Sequence, residues 1–360
     1  MSFRNPTDLH DVNSFDHVGR DSESRLVAGS VLTELAANDD RIVAGTADLT
    51  YVTRLGEFAH RHPDRFFQFG ISERNMLSAM AGMATCGLIP YAATFACFSA
   101  ILAYENIRTD LAYPNLPVRI LATHAGISMG FFGTSHHATE DIGALRGVAN
   151  LMVLSPPDAS ATEALIRATV DHPGPIYFRL GRGRERPLYS EAPTAYGPGD
   201  PRVVMEGQGL LITATGIMVQ EALAAGEQIE QATGWTTTVL DVHTLKPFSS
   251  RFVADLAAQH RLVLSVEEHN IEGGLGTLVQ EAIASNKVRT PVYKHGLYDE
   301  FGIVGPPTHL YAYYGLDTSG IAEVAERFIR DETAGEDDSI GARYWNESDK
   351  ERILTIHNNP

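Results

Sequence analysis

Two α/β domains, each doubly wound around a mostly parallel sheet, are what the sequence predicts, and three observations carry that prediction. At 360 residues the chain is long enough for two domains with cores of their own, at about 100–200 residues each. Strand-like apolar runs alternate with helix-period segments along both halves, the pattern of parallel sheets covered on both faces. Between about Gly181 and Pro201 the apolar period stops and Arg, Pro, Gly and Glu take over, the composition of an interdomain connector. The expected divisions are an N-terminal arm over 1–20, a first domain over 21–182, a linker over 183–202, a second domain over 203–330 and an acidic tail over 331–360.

In the first domain, Ser22 or Ser24 precedes a helix whose apolar positions Leu26, Val27, Val31, Leu32 and Leu35 recur at helical spacing. Strands follow at Arg41–Thr46 and Phe66–Phe69, a helix of close-packing Ala and Gly at Glu73–Thr85, a strand at Ile89–Thr94, a helix at Phe98–Ala112 and a strand at Val118–Thr123. The Gly- and Ser-rich run Ala125 to Thr139 is too long for a simple connection, and loops of that length are commonly functional. Asn150–Leu154, a helix from Asp158 to about Val170, and Ile176–Arg179 complete the array. The second domain reads as Gly209–Thr213, a helix over 219–230, Thr236–Asp241, Arg251–Gln259, Leu262–Glu267, Gly276–Ser285, Val292–Tyr293 and a last helix near Gly320–Ile329. The acid-rich tail is expected at the surface or partly disordered.

With 28 Lys and Arg against 45 Asp and Glu, the formal charge of −17 argues against nucleic acid or anionic lipid as a partner. An anionic substrate must therefore meet locally placed arginines. Two cysteines, Cys86 and Cys97, supply neither a disulfide framework nor a cysteine metal cage, which fits a reducing cytoplasm. The N-terminus has no apolar core behind a basic start, so it does not read as a secretory signal. Leu77 to Tyr104 carries no charged side chain, but it is rich in small residues and cut by Gly87-Leu88-Ile89-Pro90, which speaks for buried α/β layers rather than a membrane span.

Four constellations carry chemistry. In Gly70-Ile71-Ser72-Glu73 a strand ends and a carboxylate opens a helix, either as an ordinary first-turn Glu favoured by the helix dipole or as a partly desolvated, proton-sharing group. Phe95 and Phe98 sit three apart at a strand-to-helix turn, as core or as an aromatic face for a planar ring at the carboxyl end of the sheet. His124 at a strand end, with His136 and His137 in the long loop, suits proton transfer and hydroxyl binding; no metal-ligand spacing supports zinc. Arg179 ends a strand and is read as a phosphate receptor or a salt bridge. Gly273-Gly274-Leu275-Gly276 lacks dinucleotide-loop spacing and is read as packing or a plain helix start.

Taken in order, Gly45-Thr-Ala-Asp48, Gly70-Ile-Ser-Glu73, Thr94-Phe95 with Phe98, Ala122-Thr-His124, Gly133-Thr-Ser-His136 and Asp241-Val-His-Thr-Leu-Lys-Pro-Phe make a set that resembles the C-terminal portion of a transketolase. The resemblance runs from about Arg25 to Glu267 and implies a pyrimidine-binding (PYR) domain followed by a transketolase C-terminal domain. It implies thiamine diphosphate as cofactor, with Glu73 on the aminopyrimidine N1′, Phe95 and Phe98 holding the ring with Ile101 where a third aromatic is expected, and Asp48 nearby. It places His124 and His136 on substrate hydroxyls or phosphate, and Arg25 and Arg179 on the sugar phosphate. No Gly-Asp-Gly occurs in the chain. The resemblance therefore implies a split enzyme, an α2β2 heterotetramer in which a partner subunit carrying Gly-Asp-Gly holds the diphosphate and Mg2+ (or Ca2+).

The sequence departs from that pattern where Phe132 replaces an Asp expected to recognise a substrate 2-hydroxyl, and where Val52 replaces a phosphate-binding Ser. Loss of an acceptor can reverse a large selectivity, so a deoxy, branched or otherwise modified sugar phosphate is expected as substrate. The expected reaction is transfer of a two-carbon ketol unit from a ketose to an aldose. Its rivals are the β subunit of a 2-oxoacid dehydrogenase, a 1-deoxyxylulose-phosphate-synthase-like reaction, and a catalytically silent scaffold. Ala122-Thr-His124 and Gly133-Thr-Ser-His136 speak against the dehydrogenase. Phe132 and Ile101 favour the scaffold, and Glu73, Phe95, Phe98, His124 and His136 oppose it. A nicotinamide-dependent oxidoreductase fails because neither domain opens with a Gly-rich phosphate loop.

Overall fold

A computed structural model describes residues 23–183, 185–334 and 344–358 of the chain; the arm over 1–20 lies outside them. The first half runs α1 (Ser24–Ala36), β1 (Ile42–Thr46), α2 (Gly56–Arg61), β2 (Phe66–Gln68), α3 (Glu73–Thr85) and β3 (Ile89–Phe95). After β3 come α4 (Tyr104–Asn106), β4 (Arg119–Thr123), α5 (Asp141–Leu145), β5 (Met152–Leu154), α6 (Ala159–Ala168) and β6 (Ile176–Arg179). The second half runs β7 (Arg202–Met205), β8 (Leu210–Ala214), α7 (Met218–Thr233), β9 (Thr237–Asp241), β10 (Thr244–Lys246), α8 (Ser250–Ala257), β11 (Leu262–Asn270), α9 (Leu275–Ser285), β12 (Val292–Leu297), α10 (Pro307–Tyr313), α11 (Thr318–Ala334) and α12 (Glu347–Asn358).

The first sheet has the order β10-β5-β6-β4-β3-β1-β2 and the second β12-β11-β8-β9-β7. Pairing is parallel except at one edge of each, where β10 runs antiparallel to β5 and β7 antiparallel to β9. The predicted two-domain α/β architecture is therefore present. The short β10 departs from it, because this segment of the second half completes the first sheet, pairing Thr244 with Leu154 and Lys246 with Val153. Apolar packing follows the strand exchange: Val242, Leu245 and Val253 share a cluster with Ile120, Leu151 and Val153.

Local chemistry accounts for several differences from the expected elements. Residue Glu23, not a serine, precedes α1, and its carboxylate takes Arg25 Nε at 3.2 Å and Arg54 Nη2 at 3.0 Å. Asp158 caps α6, accepting from the Ala161 N–H at 2.8 Å. The segment Phe98–Ala112 is not one α-helix but two widened π-helical stretches, Phe98–Leu102 and Ile107–Ala112, on either side of α4. Such turns commonly re-aim side chains at functional sites. The tail is also more than a surface segment, since Tyr344, Trp345, Asp349 and Lys350 are buried. Among the described residues no helix is long and apolar enough to cross a membrane.

Candidate active site

Parallel strands bring their carboxyl ends to one edge of the first sheet, where open α/β folds form ligand crevices. Asp48 follows β1, Phe95 ends β3, His124 follows β4 and Arg179 ends β6. The π-helical turn after β3 is tied down by Ser99, whose hydroxyl donates to the carbonyls of Phe95 and Ala96, each at 3.2 Å. Phe98 is thereby set 5.5 Å from Phe95, ring centre to ring centre, at 33°. His124 lies 4.3 Å from Phe95, and His136 lies 6.1 Å from Phe95 and 5.2 Å from Phe98. Phe132 closes the group, 5.1 Å from His136. Phe95 is buried and Phe98 only half-buried, so this cluster of five rings presents an open aromatic face.

His124 occupies left-handed backbone space, φ +61°, a conformation a non-glycine residue keeps only when its surroundings impose it. Its ring is held at both nitrogens. Nε2 lies 3.2 Å from Arg25 Nη1 and Nδ1 lies 2.8 Å from Thr123 Oγ1. A guanidinium only donates, so Nε2 accepts, Nδ1 carries the proton and the imidazole is neutral. Burial, and then the charges of Arg25, Arg182 and Arg54, hold its pKa well below the usual histidine range. His124 thus suits neutral hydrogen bonding rather than delivery of a proton as an imidazolium.

These three arginines form the positive side of the site. Burial brings Arg25 down to about 10, and its Nη1 also donates to the Val52 carbonyl at 3.0 Å. Arg54, at φ +63°, is reached because Gly29 on α1 has no side chain: a Cβ there would lie 2.3 Å from the Arg54 carbonyl oxygen. Arg182 donates to the Ser128 carbonyl at 3.3 Å. Sequence reasoning missed the pairing of Arg54 and Arg182 with Arg25, because only the fold unites positions so far apart. The one available signal was Arg182 standing just beyond a strand-end Arg-Leu-Gly.

Glu73 opens α3 as expected and is half-buried, although the Ser72 side chain makes no capping bond. Arg74 beside it donates to the Leu102 carbonyl at 2.6 Å, which fixes the start of α3 against the end of the Phe98–Leu102 turn. Burial first, and the Asp141 and Glu73 charges after it, push the Cys97 thiol up to about 12. Asp48 is exposed at φ +60°, its N–H donating to Gln68 Oε1 at 2.6 Å. Ile101 is 47% exposed on the same turn as Phe98.

Arg179 does not join this group. It is 4% exposed, and it donates from Nε to Asp141 at 2.9 Å and from Nη2 to the carbonyls of Ala138 and Glu268, at 3.2 and 2.9 Å. Of its two sequence readings, phosphate receptor and salt bridge, the geometry gives the salt bridge; Arg182 takes its place near His124. Around it His269 lies 3.9 Å from Asp141 and 3.7 Å from Glu267. Glu267 accepts from the N–H groups of Leu275 and Gly276 at 2.6 and 2.8 Å. Gly274 is explained by this carboxylate, since a Cβ there would lie 1.9 Å from Glu267 Oε2, while a Cβ on Gly276 would meet Ser265 and Lys294.

The loop carrying His136 is bridged at its base between Gly126 and Ala138 and contains a 3-10 turn, Gly130–Phe132. His136 Nδ1 lies 2.9 Å from Ser135 Oγ, and no hydrogen bond to its Nε2 is found among the described residues. His137 points away, against Gly302. Among the described residues no group of three or more His, Cys, Asp and Glu side chains is placed to hold a metal ion.

Comparison with known proteins follows the same outline. Residues 22–187 match the transketolase pyrimidine-binding domain and residues 199–321 the transketolase C-terminal domain. A putative transketolase C-terminal section from Methanocaldococcus jannaschii is 38% identical over 296 residues, spanning 82% of this chain and 92% of that protein. One subunit of an apulose-4-phosphate transketolase from Phocaeicola vulgatus is 34% identical over 299 residues, 83% of this chain and 95% of that protein. A split-gene transketolase solved as an inactive β4 tetramer superposes with a TM-score of 0.76 at 38% identity, covering 83% of this chain and 96% of the other.

Proposed function

The chain belongs to the transketolase family, as its C-terminal section, and we propose that it is one half of a split enzyme that moves a two-carbon ketol unit from a ketose phosphate to an aldose phosphate. The observation that carries this reading is the convergence of Phe95, Phe98, His124 and His136 at one sheet edge, beside the half-buried Glu73. Family membership implies thiamine diphosphate, and these residues fit its aminopyrimidine: a half-buried aromatic ring offers a stacking face, and a carboxylate at the adjoining helix start offers an acceptor. When bound, the cofactor supplies the nucleophile that takes up the two-carbon unit. Glu73 would hold a proton against the ring nitrogen N1′, Phe95 and Phe98 would fix the ring plane with Ile101 at its margin, and Asp48 would border it.

His124, kept neutral, and His136 would bind substrate hydroxyls. Arg25, with Arg54 and Arg182, would receive the anionic end, supplying the local positive charge that a chain of −17 needs. The diphosphate and Mg2+ (or Ca2+) are assigned to a partner subunit carrying Gly-Asp-Gly, in an α2β2 assembly. The split gene and the inactivity of the similar β4 tetramer support that division. Phe132, 55% exposed against His136, offers a sugar no hydrogen-bond acceptor at the mouth. That favours a branched, deoxy or otherwise modified sugar phosphate over a common pentose phosphate, in keeping with the substrate named for the Phocaeicola relative.

The test is co-expression with a Gly-Asp-Gly partner, followed by ketol-transfer assays on a panel of ketose and aldose phosphates, with 2-oxoacids alongside. Activity should require both chains and fall by at least about 100-fold in Glu73→Gln, the scale of a lost proton-transfer group. A stable, cofactor-loaded complex that transfers nothing from sugars would overturn the reading in favour of a silent scaffold. Turnover of 2-oxoacids alone would favour the dehydrogenase or synthase chemistry.

A further inference from the structure

The tail beyond residue 343 lies outside both family-matched spans, yet it is tightly held. Trp345 is buried, donates from Nε1 to the Tyr313 carbonyl at 2.8 Å, and lies against Gly315, where a Cβ would come within 2.5 Å of the indole. Asp349 takes both terminal nitrogens of Arg327 at 2.8 Å each. Lys350, 3% exposed, pairs with Glu300 and sits 5.5 and 5.7 Å from the ring centres of Tyr313 and Tyr314. A buried lysine is costly unless paired, so these contacts are what seat it.

Of these contacts the Lys350–Glu300 pair reaches the irregular segment 299–306 directly, while Trp345 and Asp349 anchor the tail on Tyr313 and Arg327. Among the described residues no backbone-to-backbone hydrogen bond is donated or accepted by 299–305, and the Ile303 N–H instead reaches Tyr314 Oη at 2.9 Å. The other side of this segment meets the loop that bears His136. Thr134 donates to the Gly302 carbonyl at 3.1 Å, and Cβ atoms placed on Gly302, Gly133 and Gly130 would strike His137, Val304 and the Gly305 carbonyl, at 2.4, 2.7 and 2.6 Å. Because these glycines carry no side chain, the two loops pack directly on each other, which couples their positions.

We infer that the C-terminal tail is a strap whose Lys350 acts as a positioning residue, holding segment 299–306 through Glu300 and Tyr314 and, through that segment, the loop that presents Phe132 and His136. The hydrogen-exchange arm of its test stands without the proposed activity, and only the kinetic arm rests on that reading. Hydrogen exchange is measured on the full chain as wild type, Lys350→Met, Lys350→Arg and Glu300→Ala. Exchange in peptides covering 299–306 and 128–137 rises about tenfold in Lys350→Met and Glu300→Ala, as for a local opening made easier. Peptides covering 89–95 and 210–214 keep wild-type rates, and Lys350→Arg restores both loops. With the partner subunit present, the KM for sugar rises about threefold or more while kcat changes less. Loosening of 299–306 with 128–137 unchanged overturns the inference. Should Lys350→Met fail to fold, Glu300→Ala, at a partly exposed acid, decides by the same two peptides.

Discussion

Arg25 and Arg179 lie in the same domain, each almost wholly buried, and each touches a polar network containing a histidine. Around Arg179 the network is wholly interior. Asp141 and two carbonyls take its donors, Tyr177 donates to the same Asp141 oxygen at 2.9 Å, and His269 and Glu267 extend the group into the second half of the chain. Around Arg25 it is open and redundant. Glu23 is shared with Arg54, and Arg25 commits one of its donors to a neutral histidine beside an uncovered aromatic face. The contrast teaches that burial of a charge does not by itself mark a candidate site; what matters is whether its network borders an open face.

Breaking the interior network should cost most. Arg179→Ala leaves Asp141 buried without its cation and is expected to destabilise the fold by about 3–5 kcal/mol, read from urea unfolding; a loss of under about 1 kcal/mol would erase the contrast. Acid is the next lever. Burial lowers His269 to about 4, so it stays neutral in the fold while an unfolded histidine takes a proton near about 6.5. Its stabilisation is complete above about pH 6.5 and is lost as pH falls toward about 4, by up to about 3 kcal/mol. His269→Asn should flatten that limb of the stability curve, and unchanged acid sensitivity would remove His269 as its source. The smallest effect on stability belongs to Arg25→Met, about 1–3 kcal/mol, because Arg54 still pairs Glu23 while the Val52 carbonyl and His124 Nε2 lose a donor. The same change frees His124 Nε2 and should raise the pKa of that ring in a nuclear magnetic resonance titration; an unmoved pKa would contradict the Arg25–His124 contact.

What could be read from the sequence follows the range of the interactions involved. The helix Glu73–Thr85 and the strand Ile176–Arg179 are found at their predicted bounds, because a cap-like start, small apolar residues and β-branched or aromatic runs are local signals. Phe95, Phe98 and His124 were legible as site candidates for the same reason, since the carboxyl end of a strand is visible in its period. The partner of Arg179 was not, because Asp141 stands 38 residues upstream with nothing in the sequence between them to join the two. The tail misled for a compositional reason: its acids suggest solvent, but Asp349 is matched by Arg327, and Trp345 and Lys350 find aromatic and acidic partners that only the folded second domain assembles.

The pairing of β10 with β5 bears on where such a chain can be divided. A protein that ended at the 183–202 connector would hold six strands of the first sheet but leave β5 as a bare edge, a template for pairing with other chains. During synthesis that edge waits until residues 244–246 have emerged. The connector, which looks in composition like a natural joint, is therefore a poor place to cut. A cut there would take from the first sheet the strand that the second half supplies, so the two domains are joined by a shared sheet as well as by the chain.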